Sequence, residues 1–407
     1  MPRSRLAISK RHLLPQLAKM MVSDPKTTLK LMRFQAAKES FDIRHPFGAE
    51  HGRGDKIRLV SLRITDMCNL RCHTCGQWGD NGYLVGKSLK ELKRRELPVE
   101  VYKKLVDDVV EMGGQPIWYI WGGEPMLYPG LIELLHYIHD KGMPISLVTN
   151  STRVAKYADD IVETCKILHI SVDGPDADTH NKQRPGTTKA YDNFASVKAA
   201  LEAIKSSKEK KGVSFPFLAP ITCITQYNID QIVDIYKFTS NYADAQVLYL
   251  TWWIDQNSAD AHTNDFKRRF GFEPTTHQGW IGDWKEFDHV AILDRFDEMK
   301  TIFNEKGKCP PIMMPSINSD DELATYYSEH DATFGYNQCV SIFMTVEVNS
   351  NGNVSLCRDY NDYVIGNIGE ESIKDIWNNE KARKFRGSLN KEGLMPVCRR
   401  CCGLMGF

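Results

Sequence analysis

The stretch SLRITDMCNLRCHTCGQW, residues 61–78, passes from an apolar, β-branched run into a loop that carries three cysteines. Cys68, Cys72 and Cys75 follow the spacing C-x3-C-x2-C. Thiolates select soft metals, namely zinc, copper(I) or the iron of iron–sulfur clusters. A closed zinc site takes four ligands. The loop is therefore either a zinc site that borrows a distant Cys or His73, or the holder of a 4Fe–4S cluster with one iron left open for a small molecule.

The bulk composition limits the classes of protein to consider. With 407 residues the chain is long enough for two or three domains. Lys+Arg and Asp+Glu both number 52, so the net charge gives no argument for binding nucleic acid. No apolar run is long enough to span a bilayer or to serve as a signal peptide. We therefore expect a cytoplasmic protein whose eleven cysteines serve metal or redox chemistry rather than structural disulfides.

From residue 57 onward, short β-branched runs alternate with helical patterns. The predicted strands are 57–65, 117–121, 145–150, 167–173, 217–225 and 246–253. The helical patterns between them are 98–112, 130–141, 153–164, 190–211 and 229–242. Such alternation predicts right-handed βαβ units and a parallel sheet. Six units favour an α/β fold with a partial (β/α)6 TIM-like barrel, in which ligands bind at the carboxyl ends of the strands.

The chain divides into four segments by pattern. Residues 1–55 form a basic extension with two predicted amphipathic helices, 8–22 and 26–40, and residues 56–255 form the barrel. Residues 256–335 are polar and irregular, with one predicted helix near 288–305, and we expect an insertion or linker that shapes the pocket. Residues 336–407 form a small α+β domain. It begins with a hairpin over 343–360, signalled by Asn351-Gly352, and continues with a helix over 372–386.

Further motifs lie where the predicted strands end. WGGEP (121–125) follows the second strand and TNS (149–151) closes the third. SVDGP (171–175) closes the fourth, and HNKQRPG (180–186) comes next. Together with the cysteine loop, and in this order, these motifs make residues 57–255 resemble the radical S-adenosylmethionine (SAM) superfamily.

The resemblance implies cofactors and a mechanism. Cys68, Cys72 and Cys75 would hold a 4Fe–4S cluster whose open iron chelates SAM. The residues expected to contact SAM are Gly122, Gly123 and Glu124 at its amino group, Ser171 and Asp173 at its ribose, Arg184 at its carboxylate, and Asn150. One electron, from a donor such as flavodoxin or ferredoxin, would cleave SAM to methionine and a 5′-deoxyadenosyl radical. That radical would take a hydrogen atom from the substrate.

The cysteine loop departs from the family at one position. The family often has an aromatic residue just before the third cysteine, and here that residue is Thr74. The adenine contact is therefore in question. Trp78 either replaces it or is a packed structural tryptophan.

A second group of cysteines lies near the C-terminus. Cys339 precedes Cys357, which stands in a G-x4-C arrangement, and Cys398 and Cys401 form C-x2-C with Cys402 adjacent. This resembles the SPASM/twitch extension of radical SAM enzymes. The resemblance implies one auxiliary 4Fe–4S cluster held by Cys339, Cys357, Cys398 and Cys401, with Cys402 as an alternative to Cys401 and zinc as an alternative metal. A fully ligated cluster suits electron transfer.

Catalytic residues are less evident from the sequence. Asp255, after the sixth strand, either faces the pocket with Trp253 or caps a turn, and Cys309 is a candidate hydrogen-atom donor if the reaction is an epimerisation. We expect Cys165 and Cys223 to be small buried hydrophobes. Of the histidines, His262, His277 and His289 are expected at the surface.

The function expected from these features is that of a radical SAM oxidoreductase. Its substrate would be a small molecule such as a sugar or other polyol-like metabolite, which it would dehydrogenate or epimerise. The alternatives are a maturase that modifies a ribosomally made peptide and a non-catalytic zinc protein. Residues 1–45 carry ten Lys and Arg against three Asp and Glu. They could contact an anionic membrane surface, but packing of their apolar stripes on the barrel is favoured.

Overall fold

The computed structural model of the chain describes residues 14–41, 52–54, 56–188, 190–251, 253–282, 288–317 and 319–405. The side chains of Cys402 and Met405 lie outside this description. The predicted extension over 1–55 is thus described only in part, and residues 8–13 of its first predicted helix are among those not described.

Strands and helices alternate through most of the described chain. The strands are β1 Leu59–Arg63, β2 Ile117–Trp121, β3 Ile145–Thr149, β4 Ile167–Ile170, β5 Phe217–Leu218, β6 Ile221–Ile224, β7 Gln246–Leu250, β8 Pro311–Met314, β9 Thr345–Val348, β10 Asn353–Ser355 and β11 Gly366–Asn367. The α-helices are α1 Leu14–Ser23, α2 Pro25–Glu39, α3 Leu89–Arg95, α4 Val99–Glu111, α5 Leu131–Asp140, α6 Ala158–Thr164, α7 Ala177–Gln183, α8 Asn193–Lys211, α9 Ile232–Thr239, α10 Gln256–Phe270, α11 His289–Lys306, α12 Asp320–Ser328, α13 Ile373–Ile376, α14 Glu380–Glu392 and α15 Cys402–Met405.

The sheet is mostly parallel and curved, which confirms the partial barrel. One sheet has the order β11-β10-β9-β1-β2-β3-β4-β5, and a second has the order β6-β7-β8. All pairs from β9 to β5, and both pairs of the second sheet, are parallel. A parallel bridge between Ser171 and Ile221 connects the two sheets. The single predicted strand 217–225 is divided at Pro220, which has no N–H to donate to a ladder.

The two faces of β1 have different roles. Successive side chains of a strand point to opposite faces. Val60 and Leu62 are fully buried and belong to the main apolar core. Ser61 lies in register with Tyr119 and with Glu347 of the neighbouring strands. The polar and aromatic face of the sheet is therefore opposite its helix-packed face, and it lines the inside of the barrel.

The C-terminal segment continues the main sheet. β9 pairs with β1 in parallel, and β10 and β11 extend the sheet in antiparallel fashion. The turn at Asn351-Gly352 lies between β9 and β10 as predicted, and Gly352 has φ +85°, which favours glycine. Because β9 is a direct neighbour of β1, the second cysteine group is brought beside the strand that leads into the first.

The expectation of irregular structure over 256–335 is wrong. This segment contains α10, α11, β8 and α12, and β8 pairs in parallel with β7. The sequence carries signals for α10, because Asp255 accepts a hydrogen bond from Ser258 N at 2.7 Å as its N-cap and Gly271 ends it with φ +87°. The barrel thus gains one further strand beyond the six predicted.

Helices α1 and α2 lie at the amino ends of the strands. Asp24 pairs with Lys166, just before β4, at 2.9 Å. Lys30 Nζ donates to the carbonyl oxygen of Gly142, just before β3, at 2.7 Å. The two helices therefore lie across the end of the barrel opposite the cysteine loop.

Packing of the apolar stripes differs between these two helices. α2 buries Thr27, Thr28 and Ala37. In the described α1, however, no side chain is buried, and Leu14, Leu17 and Val22 are exposed. The prediction that the stripe packs on the barrel is therefore wrong for α1. Contact of this region with a membrane surface stays a prediction.

Within the described ranges, no helix is both long enough and apolar enough to cross a membrane.

Candidate functional site

The loop that follows β1 gathers its three cysteines at one cavity. Cys68, Cys72 and Cys75 all line it. Cys75 N donates to Cys72 O at 3.0 Å, which closes a tight turn. A second loop holds the cysteine loop from the side, since Arg71 N donates to the Pro185 carbonyl oxygen at 2.7 Å.

The buried thiols of this loop suit a cationic metal group. Burial raises the pKa of Cys68, and the neighbouring Cys72 thiol adds to the effect. Burial likewise raises the pKa of Cys72 to about 12, although the Arg184 guanidinium opposes it. Without metal the thiols stay protonated, whereas bound iron would stabilise the thiolates. The three side chains are therefore suited to bind a metal cluster.

Within the described part of the chain, no three His, Cys, Asp or Glu side chains surround a position for one metal ion. A cubane differs from a single ion in that each of its thiolate ligands binds a separate iron.

The glycines of the WGGEP motif fit against the cysteine loop. Gly122 has φ +139°, and an added Cβ would lie 2.6 Å from the Thr65 carbonyl oxygen. At Gly123 an added Cβ would lie 2.2 Å from the Met67 carbonyl oxygen. Gly123 N and Glu124 N donate to these same oxygens at 2.7 and 2.8 Å. Both glycines are thus needed for close packing of two loops, whatever contact they make with SAM.

Glu124 connects the ends of two strands. It is fully buried, and its carboxylate accepts hydrogen bonds from Thr149 Oγ1 at 2.7 Å, Asn150 N at 2.7 Å and Met126 N at 3.0 Å. Burial raises the pKa of Glu124 to about 7 against the effect of these donors. Asn150 Nδ2 donates in turn to Asn69 Oδ1 at 3.0 Å. Glu124 therefore positions Asn150 beside the cysteine loop.

Arg184 lies between a carboxylate and the cysteines. Its Nε donates to Asp173 Oδ2, and its Nη1 lies 3.6 Å from Cys72 Sγ. Asp173 also accepts from Cys223 N at 2.7 Å. Arg184 and Ser171 line the cavity, whereas Asp173 is not among the described residues that do. Asp173 thus holds Arg184, and the ribose contacts of Ser171 and Asp173 stay predictions.

Trp78 is a packed structural tryptophan that also reaches the cavity, and its contact with adenine stays a prediction. Its Nε1 donates to the Asp66 carbonyl oxygen at 2.6 Å, and Arg71 stacks on its ring at 4.2 Å. It packs with Leu84 and Leu92 in a small separate core. It nevertheless lines the cavity, as does Thr74.

Five further lining residues of the cavity were not found from the sequence. They are two charged side chains and three aromatic rings, namely Arg63, Asp359, Tyr83, Trp121 and Trp280. The Trp280 ring lies directly against Gly76 of the cysteine loop. Trp121 Nε1 donates to Ser61 Oγ at 2.9 Å. The available sequence signal for these residues was Arg63, a charged side chain at an inward-facing position of β1.

A second cavity holds the C-terminal thiols. Cys339, Cys357 and Cys401 line it together with Asp359. Cys398 is buried beside them, and burial together with the nearby Cys339 raises its pKa to about 12. Cys401 Sγ donates to Asp359 Oδ2 at 3.2 Å.

The second site has one alternative ligand and shares one lining residue with the first cavity. The side chain of Cys402, the alternative ligand, lies outside the described residues. Asp359 lines both cavities, so the two thiol-bearing cavities are adjacent.

The two catalytic candidates lie away from both sets of thiols. Asp255 caps α10, the structural alternative given above, and His330 Nδ1 lies 3.8 Å from it. Cys309 is buried in the core before β8, at the amino end of that strand. Within the described residues, neither lines a thiol-bearing cavity.

Three histidines were expected at the surface and two cysteines in the core. His262 and His277 are fully buried, with ring centroids 4.9 Å apart, so the prediction of surface positions is wrong for both. His289 is half-buried. Cys165 is fully buried as predicted, but Cys223 is half-buried because its side chain faces the barrel interior, with its Sγ 3.6 Å from Thr251 Oγ1.

Comparison with known proteins identifies both cysteine regions. A model of the radical SAM superfamily matches residues 62–239, and a model of the SPASM iron–sulfur cluster-binding domain matches residues 339–402. The AdoMet-dependent heme synthase of Methanosarcina barkeri (strain Fusaro / DSM 804) is 26% identical over 356 residues, which is 84% of this chain and 88% of that protein. The Fe-coproporphyrin III synthase of the same strain is 30% identical over 149 residues, 37% of this chain and 32% of that one.

A solved structure agrees on the fold. The crystal structure of Streptococcus suis SuiB bound to precursor peptide SuiA superposes with a TM-score of 0.55, covering 94% of this chain and 77% of that one at 16% identity. At that identity the likeness establishes the fold alone. The chain is a radical SAM enzyme with a C-terminal SPASM domain, and its cofactors are SAM, the 4Fe–4S cluster that binds SAM, and an auxiliary iron–sulfur cluster.

Proposed function

We propose that this enzyme oxidises an iron-porphyrin carboxylic acid. The substrate class is supported by the heme synthase relative, which aligns over most of both chains. The type of reaction is supported by one observation, the position of Asp359 in both thiol-bearing cavities. A substrate radical formed in the first cavity would lie close to an electron acceptor in the second.

The proposed ligands are the cysteines gathered at each cavity. We assign Cys68, Cys72 and Cys75 to the SAM-binding cluster, and Cys339, Cys357, Cys398 and Cys401 to the auxiliary cluster. When bound, the first cluster and SAM supply a carbon-centred radical by one-electron cleavage, and the auxiliary cluster supplies a one-electron acceptor.

The side chains of the chain itself position these groups and the substrate. Arg184, held by Asp173, offers a positive charge for the SAM carboxylate beside Cys72. Asn150, held by Glu124, offers an amide next to it. Trp121 and Trp280 also line the cavity and supply apolar aromatic contact area for a macrocycle.

The reaction balances as a two-electron oxidation. An external donor such as flavodoxin or ferredoxin supplies one electron for cleavage of SAM. The substrate would lose one hydrogen atom, which leaves in 5′-deoxyadenosine, one electron, which the auxiliary site would accept, and one proton, which goes to solvent. A C=C bond would then replace the two C–H bonds that break. Epimerisation would instead need a hydrogen-atom donor, and the candidate Cys309 lies away from the cavity.

A porphyrin acid replaces the sugar or polyol substrate expected from the sequence. The known relatives give no support to a sugar or polyol. A peptide substrate is the second candidate, and it rests on a likeness of fold to SuiB at 16% identity. Both remain in the substrate panel of the test below.

The test is an anaerobic turnover assay on the reconstituted enzyme with SAM and dithionite. The panel contains Fe-coproporphyrin III, a polyol such as an aminocyclitol, and a peptide encoded next to the gene. We expect 5′-deoxyadenosine and a change of porphyrin mass with Fe-coproporphyrin III alone. Cys75→Ala should abolish both, whereas Cys165→Ala, at a buried cysteine outside both sites, should retain them. Turnover of the polyol or the peptide instead would refute the porphyrin assignment.

A further inference from the structure

Arg63 is held rigidly in the lining of the cavity that the cysteines share. It ends β1, is only 3% exposed, and lines the cofactor cavity. Its guanidinium lies over the Trp121 ring, with the carbon 4.8 Å from the ring centroid. Nη1 donates to the Tyr83 hydroxyl, and Nη2 donates to the Arg358 carbonyl oxygen at 3.1 Å. These contacts fix the plane of the guanidinium without neutralising its charge.

The nearest carboxyl group does not form an ordinary ion pair with Arg63. Glu347 Oε1 is 4.0 Å from Arg63 Nε, beyond hydrogen-bond distance. Within the described residues, neither Nε nor the two Glu347 oxygens has a well-formed hydrogen bond. Burial raises the pKa of Glu347 to about 8, so this carboxyl is mostly neutral at pH 7.

The other acidic groups nearby have partners of their own. Asp359 Oδ1 lies 3.7 Å from Arg358 Nε, and Asp66 Oδ2 accepts from the Ser350 hydroxyl at 2.8 Å. A buried guanidinium without a close counter-charge is costly. Arg63 lines the cavity, and within the described residues its hydrogen bonds go to a hydroxyl and a carbonyl oxygen rather than to a carboxylate.

We propose that Arg63 binds a carboxylate of the substrate, a proposal that rests on the proposed function and adds a specificity residue to it. A guanidinium has five N–H donors, of which two are engaged here. The remaining donors match the two oxygens of a carboxylate.

The neighbouring rings support the same assignment. Trp121 and Trp280 line the same cavity as Arg63. A porphyrin bound in this cavity would bring a propionate on its edge within reach of the guanidinium. The side chain thus selects acids over neutral compounds of the same shape.

The first arm of the test compares an acid with its ester. The cofactor-loaded enzyme with SAM is titrated anaerobically with Fe-coproporphyrin III and with its tetramethyl ester, and the porphyrin absorbance is followed. Wild type should prefer the acid. Loss of one charged hydrogen-bonded contact in Arg63→Gln should weaken acid binding roughly 10- to 150-fold and remove the preference. Arg63→Lys, which keeps the charge, should fall between, and the exposed control Arg94→Gln should match wild type. Retention of the acid preference in folded Arg63→Gln or, if that variant does not fold, full acid affinity in Arg63→Lys overturns the proposal.

The second arm separates this proposal from the proposed function. If wild type binds neither porphyrin, the porphyrin assignment fails, and calorimetric titration with propionate, propionamide and inorganic phosphate then reads the subsite directly. Propionate bound more tightly than propionamide by wild type, but not by Arg63→Gln, supports a carboxylate subsite. Phosphate bound in preference to propionate, or no anion bound at all, overturns it.

Discussion

Substitution of Gly123 by alanine should disturb the cysteine loop from a distance. The added Cβ would lie 2.2 Å from the Met67 carbonyl oxygen and 2.6 Å from the Met67 carbonyl carbon, whereas ordinary contact begins at 3.4 Å. Both atoms are backbone, so no side chain can rotate away, and the loop has to move by about 1 Å at a cost of about 1–3 kcal/mol. Cys68 is the next residue along this loop. Because the ligands of a site have to be held within about 0.5 Å of their working positions, Gly123→Ala should lower cluster binding as well as stability.

The assay measures urea denaturation of the apo protein and iron per chain after anaerobic reconstitution. The matched control is Gly387→Ala, where the added Cβ meets no atom within 4 Å. Because Gly387 is inside α14, its replacement by alanine should stabilise the protein by about 0.5–1 kcal/mol and leave iron content unchanged. Gly123→Ala with the denaturation midpoint and iron content of wild type would refute the close-packing explanation of the motif.

Three further predictions concern charge and ligands. Asp173→Asn removes the buried partner of Arg184, so it should lower the free energy of unfolding by about 3 kcal/mol and weaken SAM binding in equilibrium dialysis; unchanged values of both would contradict this pairing. The pKa of Glu347 is raised by burial from 4.5 to about 8, so the folded state keeps a proton that the unfolded state loses. Wild-type apo protein should therefore lose ~4 kcal/mol relative to Glu347→Gln as pH rises from 4.5 to 8, with no further loss above; a flat difference in urea midpoints would argue against burial of this carboxyl. Cys401→Ala should remove the iron of the auxiliary cluster and Cys402→Ala should not, and the reverse result in iron analysis would exchange the two assignments.

The order of strands and helices could be predicted from the sequence because each of them carries a local signal. The β-branched runs became β1 to β7 within a few residues, and the Asp24-Pro25 boundary became the start of α2, with Asp24 as its cap. The region 256–335 was misread because its helices are polar. α10 has the cap signals but only a sparse apolar stripe, and β8 is four residues long. Short strands and polar helices are defined by their tertiary neighbours.

The sequence predicted which motif residues would meet at the site but not what each of them does there. The motif residues at the strand ends met at one cavity, as a parallel sheet requires. Their individual roles did not follow from the motifs. Glu124 turned out to hold Asn150, and Asp173 to hold Arg184, because buried carboxylates need donors and the fold supplies them. The surface prediction for His262 failed because a lone histidine in a polar segment gives no sign of its burial.

What the sequence determined by itself is the chemistry: the spacing of three thiols, the glycines beside them and the second set of cysteines are properties of adjacent residues, so they specify cofactors without knowledge of the fold. What only the tertiary structure decided is the relation between the two sites. The parallel pairing of β9 with β1 brings residues nearly 300 positions apart into register. That pairing places Asp359 in both cavities and Glu347 beside Arg63. Because strand order depends on the packing of the whole chain, no local pattern could have shown which charged groups would face the substrate.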